Sequence, residues 1–285
     1  MAETAFQIQY RQEFVAGFEQ HTSLLRSATT TEAVIKGNIA TFLVADSGGA
    51  TAVTRGVNGL IPARGDNLDQ PTATLVEWHD LVRKTGFNVF ASQGNQREIM
   101  QKTTMAVINR KIDQDILGEL AGTSLSHAAH VGTLANALIV KTALGNNEVP
   151  FDGNICAVIT PAYEASLMSQ AAFTSADYTS NARGIIDNAD AAWRDQLTAF
   201  RWLGINWIVH PNLTGSGSAA ASCFMFHKNA IGHAVDSTGI KSPVGFDEEQ
   251  DYSWARCSVY MGSSLLQGSG VIEMVHTDDS FAIAP

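Results

Sequence analysis

From Asn95 to Ala121 the sequence writes one uninterrupted helix, and few features constrain the fold of a 285-residue chain more. Asn95 is a good N-cap, and Glu98 three residues on completes a capping-box start. Met105, Ile108, Ile112, Ile116 and Leu120 form an apolar stripe, with Gln101, Lys102, Asn109, Arg110 and Asp113 on the opposite face. Gly122 stands where such a helix should stop. A helix of this length runs roughly 40 Å, and Gly118 inside it costs about 1 kcal/mol relative to Ala. Two readings follow from the pattern: a rigid beam, or an ordinary amphipathic core helix.

The segment before it cannot supply a core. Residues 50–75, ATAVTRGVNGLIPARGDNLDQPTATL, carry turn signals at Asn58-Gly59, Gly65-Asp66-Asn67 and Gln70-Pro71, and their apolar side chains are isolated. They read as an extended, projecting β-loop, with a disordered surface loop as the bland alternative. Residues 7–27 read as an amphipathic helix through Phe14, Phe18, His21 and Leu25. The β-branched run TEAVIKGNIATFLVADSGGA reads as one or two strands and a turn, and residues 72–90 as strand.

Beyond the long helix, TLANALIVKTALG fits a second helix, ICAVIT a buried strand, and Thr160-Pro161 the start of a helix over about 161–172. Residues 174–201 read as polar and irregular, with DNADAAWRDQ as a short surface helix or loop. INWIVHPNL and ASCFMFHKNAIGHAV are strand-rich, and YSWARCSVYMGSSLL and GVIEMVHT are two strands across a Gly-rich turn. The order is an α+β mixture without regular βαβ repetition or an internal repeat.

Composition excludes several functions. With a net charge of −10, the chain is a poor candidate for sequence-specific DNA binding but suits the inner wall of a container. The three cysteines, Cys156, Cys223 and Cys257, are far apart in apolar or small-residue contexts, as expected of reduced, buried thiols. The N-terminus shows no signal-peptide pattern, and no apolar run is long enough to span a membrane.

The sequence is poor in chemistry. There is no P-loop, and Gly215-Ser216-Gly217 begins a dinucleotide fingerprint that Ala220 breaks. There is no G-x-S-x-G elbow. His127 and His130 are spaced to share a helix face, as metal ligands or in a surface or helix-start role, but no further ligand set accompanies them. The acidic run FDEEQD lacks the spacing of a calcium loop; it reads as a solvated turn or as one side of an inter-subunit ion pair. Trp193, Trp202 and Trp207 are read as core residues before a nucleotide-stacking platform. No catalytic, cofactor or metal site is expected; the protein works through its surface.

Four ordered motifs carry a resemblance: GNIATFLVADSGGATAVTRGVNGLIP, then TGFNVFASQGNQREIMQKT…NRKIDQDILGEL, then NNEVPFDGNICAVITPAYEASLMSQAAFTSADY, then CFMFHKNAIGHA with SWARCSVYMGSSLLQGSGVIEMV. Together the chain resembles the major capsid protein of tailed bacteriophages, the Hong Kong 97-type fold. That resemblance implies an N-terminal arm over 1–45, an extended loop over 46–78, and a peripheral domain over 79–145 with a spine helix at about 95–121. It further implies an axial domain over 146–239, peripheral return strands over 240–262, and a return to the axial domain over 263–285.

By the same resemblance, subunits form hexamers and pentamers of an icosahedral shell around double-stranded DNA contacted non-specifically. The shell would have a portal protein at one vertex and a possible decoration protein, would be assembled in the bacterial cytoplasm, and would end in the virion. Because the arm begins within the first ten residues and Met1 is present, scaffolding is expected to be a separate protein, with a mature form as the alternative.

Some capsids of this fold weld a loop Lys to an Asn of a neighbour. Here Gly37 to Arg83 contains no Lys, so Arg55 and Arg64 are expected to make reversible ion pairs with an adjacent subunit, with Asp247, Glu248, Glu249 and Asp251 as partners. The rival readings are an encapsulin-type compartment shell of the same fold and, from another class, a metal- or nucleotide-dependent enzyme.

Overall fold

The computed structural model describes residues 20, 22–31, 33–91, 95–170 and 199–281. A 3-10 turn, Arg26–Ala28, precedes three short strands, β1 (Val34–Lys36), β2 (Ile39–Thr41) and β3 (Val44–Asp46). After a long loop come β4 (Asn67–Asp69), β5 (Thr72–Thr74) and the ten-residue β6 (Val76–Thr85), then helices α1 (Gly86–Ala91) and α2 (Gln96–Leu120). Next are β7 (Ser126–His130), α3 (Leu134–Asn146), β8 (Ile155–Ile159) and α4 (Pro161–Met168). The chain closes with β9 (Ala199–Trp202), β10 (Ile205–Val209), β11 (Ala221–His227), β12 (Ile231–Val235), β13 (Val244–Asp247), β14 (Tyr252–Leu265) and β15 (Val271–His276).

Several local expectations change. The helix expected over 7–27 falls mostly outside the described residues, but residues 22–25 are not helical and only the 3-10 turn follows. The run after residue 31 makes three strands, not one or two, because Gly37 takes the left-handed conformation (φ 63°) and turns β1 back onto β2. Residues 86–91 are helical rather than extended. Helix α4 ends at Met168, with Ser169 as its C-cap, and Ala199–Trp202 is a strand rather than irregular chain. The DNADAAWRDQ segment lies outside the described residues.

The chain divides into two compact units. The first holds Met1–Ser23, Val76–Gln114 and Val235–Met261; the second holds Leu24–Leu75, Asp115–Ala234 and Gly262–Pro285. Residues 115–145, expected to belong with the long helix, cluster instead with the second unit.

In the first unit, β6 and β13 pair antiparallel with β14: Thr85 lies opposite Tyr252, and Val244 opposite Ala255. β6 alternates exposed and half-buried residues, as expected of a strand with one covered face. Helix α2 starts as its sequence dictates, with Glu98 N–H donating to Asn95 Oδ1 (3.4 Å) and Glu98 four residues before Lys102 in an ion pair of 2.8 Å. One buried row is spaced by four: Met100, Thr104, Ile108, Ile112, Ile116 and Leu120 are all 0–2% exposed, and Ala106 and Asp113 are buried beside it. At 3.6 residues per turn such a row drifts about 40° per step. The buried face therefore winds around the helix. Met105, expected within the stripe, is 39% exposed, because the row lies on another side at that level. Asp113, expected on the polar face, is fully buried and accepts hydrogen bonds from Ser23 Oγ (2.5 Å) and Gln20 Nε2.

The second unit is organised by a six-stranded mixed sheet in the order β7-β15-β11-β8-β10-β9. Its centre is dry. Every residue of β8 (ICAVI) and β10 (INWIV) is buried, and the two strands pair in parallel. Thr133 and Thr160 cap α3 and α4 by accepting from Asn136 N and Tyr163 N, and Pro161 occupies the first turn of α4. β14 and β15 are strands as expected but do not pair with each other; β15 lies between β11 and β7.

Candidate inter-subunit surface

The projecting loop grows from a packed root in the second unit. β2 pairs with β1 and β5, and Ala40, Phe42, Ala73 and Ala234 form a small buried cluster there. Phe42 fits against Gly232 so closely that a Cβ at that glycine would lie 2.6 Å from the ring. Above the root, β3 pairs with β4 in the register Val44↔Asp69, Ala45↔Leu68, Asp46↔Asn67. Asp46 accepts from Asn67 Nδ2 (2.5 Å) and Gly48 N (2.7 Å), and these bonds, Asn67's above all, hold its carboxyl below the usual range.

From Ala45 to Gln70 every residue is exposed. The tip is a turn in which Gly59 N donates to Gly56 O (2.8 Å) and Gly56 N to Leu60 O (3.0 Å), with Gly59 at φ 72°. Arg55 and Arg64 each spend one N–H on the loop itself, to Gly59 O and Ser47 O, both at 3.0 Å. Both side chains belong to exposed residues. Val57, Leu60, Ile61, Leu68 and Val53 are all at least 60% exposed, and Leu60 reaches 74%. Apolar side chains gathered on exposed chain mark a surface that meets a partner.

The acidic run, in the first unit, is the turn between β13 and β14. Asp247 is engaged locally: backbone N–H groups of Glu249 (3.0 Å) and Gln250 (3.2 Å) donate to it, Gln250's the larger influence lowering its pKa. Asp251, at φ 48°, lies against Gly86, whose N–H donates to the Asp251 carbonyl (2.9 Å). Glu248 and Glu249 are exposed, and their carboxylates make no hydrogen bond or ion pair among the described residues. The Asp251 side chain is exposed too, and its carboxylate likewise makes no hydrogen bond or ion pair among the described residues, so of the four expected acidic partners only Asp247 is already engaged.

The other candidates resolve into packing. His127 and His130 lie on strand β7, not on a helix, with ring centroids 4.6 Å apart. Among the described residues no group of three or more His, Cys, Asp or Glu is placed to hold a metal ion, and no helix is long and apolar enough to cross a membrane. Trp202 and Trp207 are core residues, with Trp207 Nε1 donating to Trp202 O (3.0 Å), while Trp193 lies outside the described residues. All three cysteines are free and buried, and burial pushes the thiols of Cys156 and Cys223 up to about 11 and about 12. Gly215–Gly217 is a turn whose Gly217 N–H donates to Asp278 Oδ2 (3.0 Å).

One constellation escaped the sequence. In the second unit the buried Asp278 accepts from Thr160 Oγ1 (2.8 Å) and His276 Nδ1 (2.5 Å) as well as Gly217 N. The signal was the short His-Thr-Asp run closing β15, which only the sheet order brings to the cap of α4.

Two compact units that share one long helix sequence, with a rooted loop standing clear of the core, match solved viral shells. A structure from Mycobacterium phage Che8 aligns with a TM-score of 0.71 at 15% identity, covering 96% of this chain and 98% of that one. The capsid of Ralstonia phage GP4 gives 0.69 at 13% identity over 99% and 97% of the two chains. The capsid asymmetric unit of cyanophage Pam1 gives 0.68 at 11% identity over 98% of each. No curated protein matches the chain in sequence. The fold is thus the mixed α+β, Hong Kong 97-type fold of phage capsids. The chain itself belongs to the phage capsid protein family, whose model matches residues 2–278.

Proposed function

We propose that the protein is the major capsid subunit of a tailed phage and assembles into hexamers and pentamers of an icosahedral shell enclosing double-stranded DNA. The observation that carries this is the uninterrupted exposure of residues 45–70, with large apolar side chains, on a root that is itself packed. A monomer gains nothing from such a loop; a neighbour covering it does. The first unit takes the role of the peripheral domain and the second that of the axial domain, carrying the loop and the part of the arm from Leu24 onward.

Arg55 and Arg64 reach across to an adjacent subunit and pair with its acidic turn, through Glu248, Glu249 and Asp251 before Asp247. With no Lys from Gly37 to Arg83, the contact is reversible rather than covalent. A scaffolding protein, a portal at one vertex and a decoration protein are its further partners, and assembly takes place in the host cytoplasm. The test is expression with a candidate scaffolding protein, followed by sizing and negative-stain microscopy. Closed shells or capsomer rings are expected, holding nuclease-protected DNA when packaging proteins are present. A strictly monomeric species at high concentration, scaffold included, contradicts the proposal, and particles filled with a cargo enzyme point to a compartment shell instead.

A further inference from the structure

Among the described residues of the second unit, the buried atoms Tyr163 Oη, His276 Nε2 and His130 Nε2 have no hydrogen-bond partner. They belong to one cluster of rings, with centroids 4.6 Å apart for Tyr163 and His276, 6.0 Å for His130 and Tyr163, and 6.3 Å for His130 and His276. The rings come from α4, β15 and β7, and His276 lies opposite His130 in the parallel β15–β7 pair. Native interiors rarely leave one such atom unpaired, and three on adjoining rings call for a common explanation.

The donors and acceptors can be counted. His276 Nδ1 faces the Asp278 carboxylate (2.5 Å), and His130 Nδ1 faces the Ala128 carbonyl (2.9 Å). Both oxygens only accept, so both Nδ1 atoms carry hydrogen. Burial, foremost, holds His130 toward its neutral form. In a neutral imidazole whose hydrogen sits on Nδ1, Nε2 is a bare acceptor. Burial raises the Tyr163 pKa, so its phenol keeps its proton and is a donor. A direct bond from Tyr163 to either imidazole still leaves one buried acceptor unpaired. One water molecule has the complementary count: two O–H donors for the two Nε2 atoms and a lone pair for the phenol O–H.

We propose that Tyr163, His130 and His276 form a binding site for a single internal water, which joins α4, β7 and β15 into the polar network gathered on Asp278. A closed-shell metal cation is the rival occupant, because imidazoles with Nδ1 tied to a carbonyl and a carboxylate are oriented as metal ligands are. A cation would leave the phenol proton without an acceptor, and the described residues add no third His, Cys, Asp or Glu.

The test is solid-state NMR of histidine-labelled, sedimented protein, with metal analysis after dialysis against zinc. Both Nε2 signals are expected in the unprotonated, hydrogen-bonded range, with cross-peaks to water protons and no stoichiometric metal. In Tyr163→Phe the two acceptors remain, so the water cross-peaks should persist; if that variant does not fold, the wild-type spectra decide alone. Protonated Nε2 atoms, missing water cross-peaks, or one zinc per chain would each overturn the proposal.

Discussion

Replacing Leu60 and Ile61 together by serine should leave the subunit folded and raise the concentration it needs to assemble. The two side chains are 74% and 65% exposed. Fully burying a Leu or Ile contributes about 1.5–3 kcal/mol, so covering what remains exposed is worth about 1–2 kcal/mol each, or about 2–4 kcal/mol per loop contact. At 1.4 kcal/mol per tenfold, that weakens one subunit–subunit contact by roughly 30- to 1,000-fold. A shell repeats the contact on every subunit, so the critical concentration for particles, read by light scattering and sedimentation, should rise steeply. Thermal unfolding of the unassembled subunit should not move, because neither side chain belongs to the core. An unchanged critical concentration would show that the loop's apolar residues meet no neighbour. A lowered midpoint would show that they pack within their own chain.

The remaining expectations concern the helix, the linkage chemistry and pH. Ile112→Asp puts a charge at a fully buried point of α2 and should cost several kcal/mol, giving insoluble or misassembled protein, whereas Lys102→Asp on the exposed side should fold normally, as solubility and circular dichroism will show. Boiling mature particles in detergent should give one band near 30.5 kDa, and a ladder of oligomers would reveal a covalent link from another amine. The Asp152 carboxyl is held at about 2, first by the Asn154 amide and then by the Asn154 backbone N–H, with His227 adding to them. Its folded value lies below the ordinary 3.8, so its stabilisation is complete above about pH 4 and is lost as pH falls through about 2. Asp152→Asn should flatten that part of the acid-denaturation curve, and an unchanged curve would show that the carboxylate contributes nothing.

Local signals in the sequence were legible where one residue decides a backbone state. Asn95, Thr133, Thr160 and Pro161 mark helix starts that the structure keeps, and the apolar runs of β8 and β10 are buried throughout. Facing was harder to read. A wheel averaged over α2 cannot represent a stripe that winds around the helix, so it buried Met105 and exposed Asp113, and the structure reverses both. Asp113 is buried by Ser23 and Gln20, some ninety positions away, which no local pattern encodes. The loop was visible as a lack of core-forming residues. Which acids are free in the turn was not, because Asp247 is held by the backbone of the turn itself. The Asp278 network depends on β15 and the cap of α4 meeting across a sheet whose order is not the chain order.

A density map of assembled particles at side-chain resolution tests the central claim most directly. The account predicts closed shells in which residues 45–70 lie over an adjacent subunit, with Leu60 and Ile61 covered and Arg55 or Arg64 within ion-pair distance of that neighbour's acidic turn. A closed shell in which this loop stands free in solvent would contradict it.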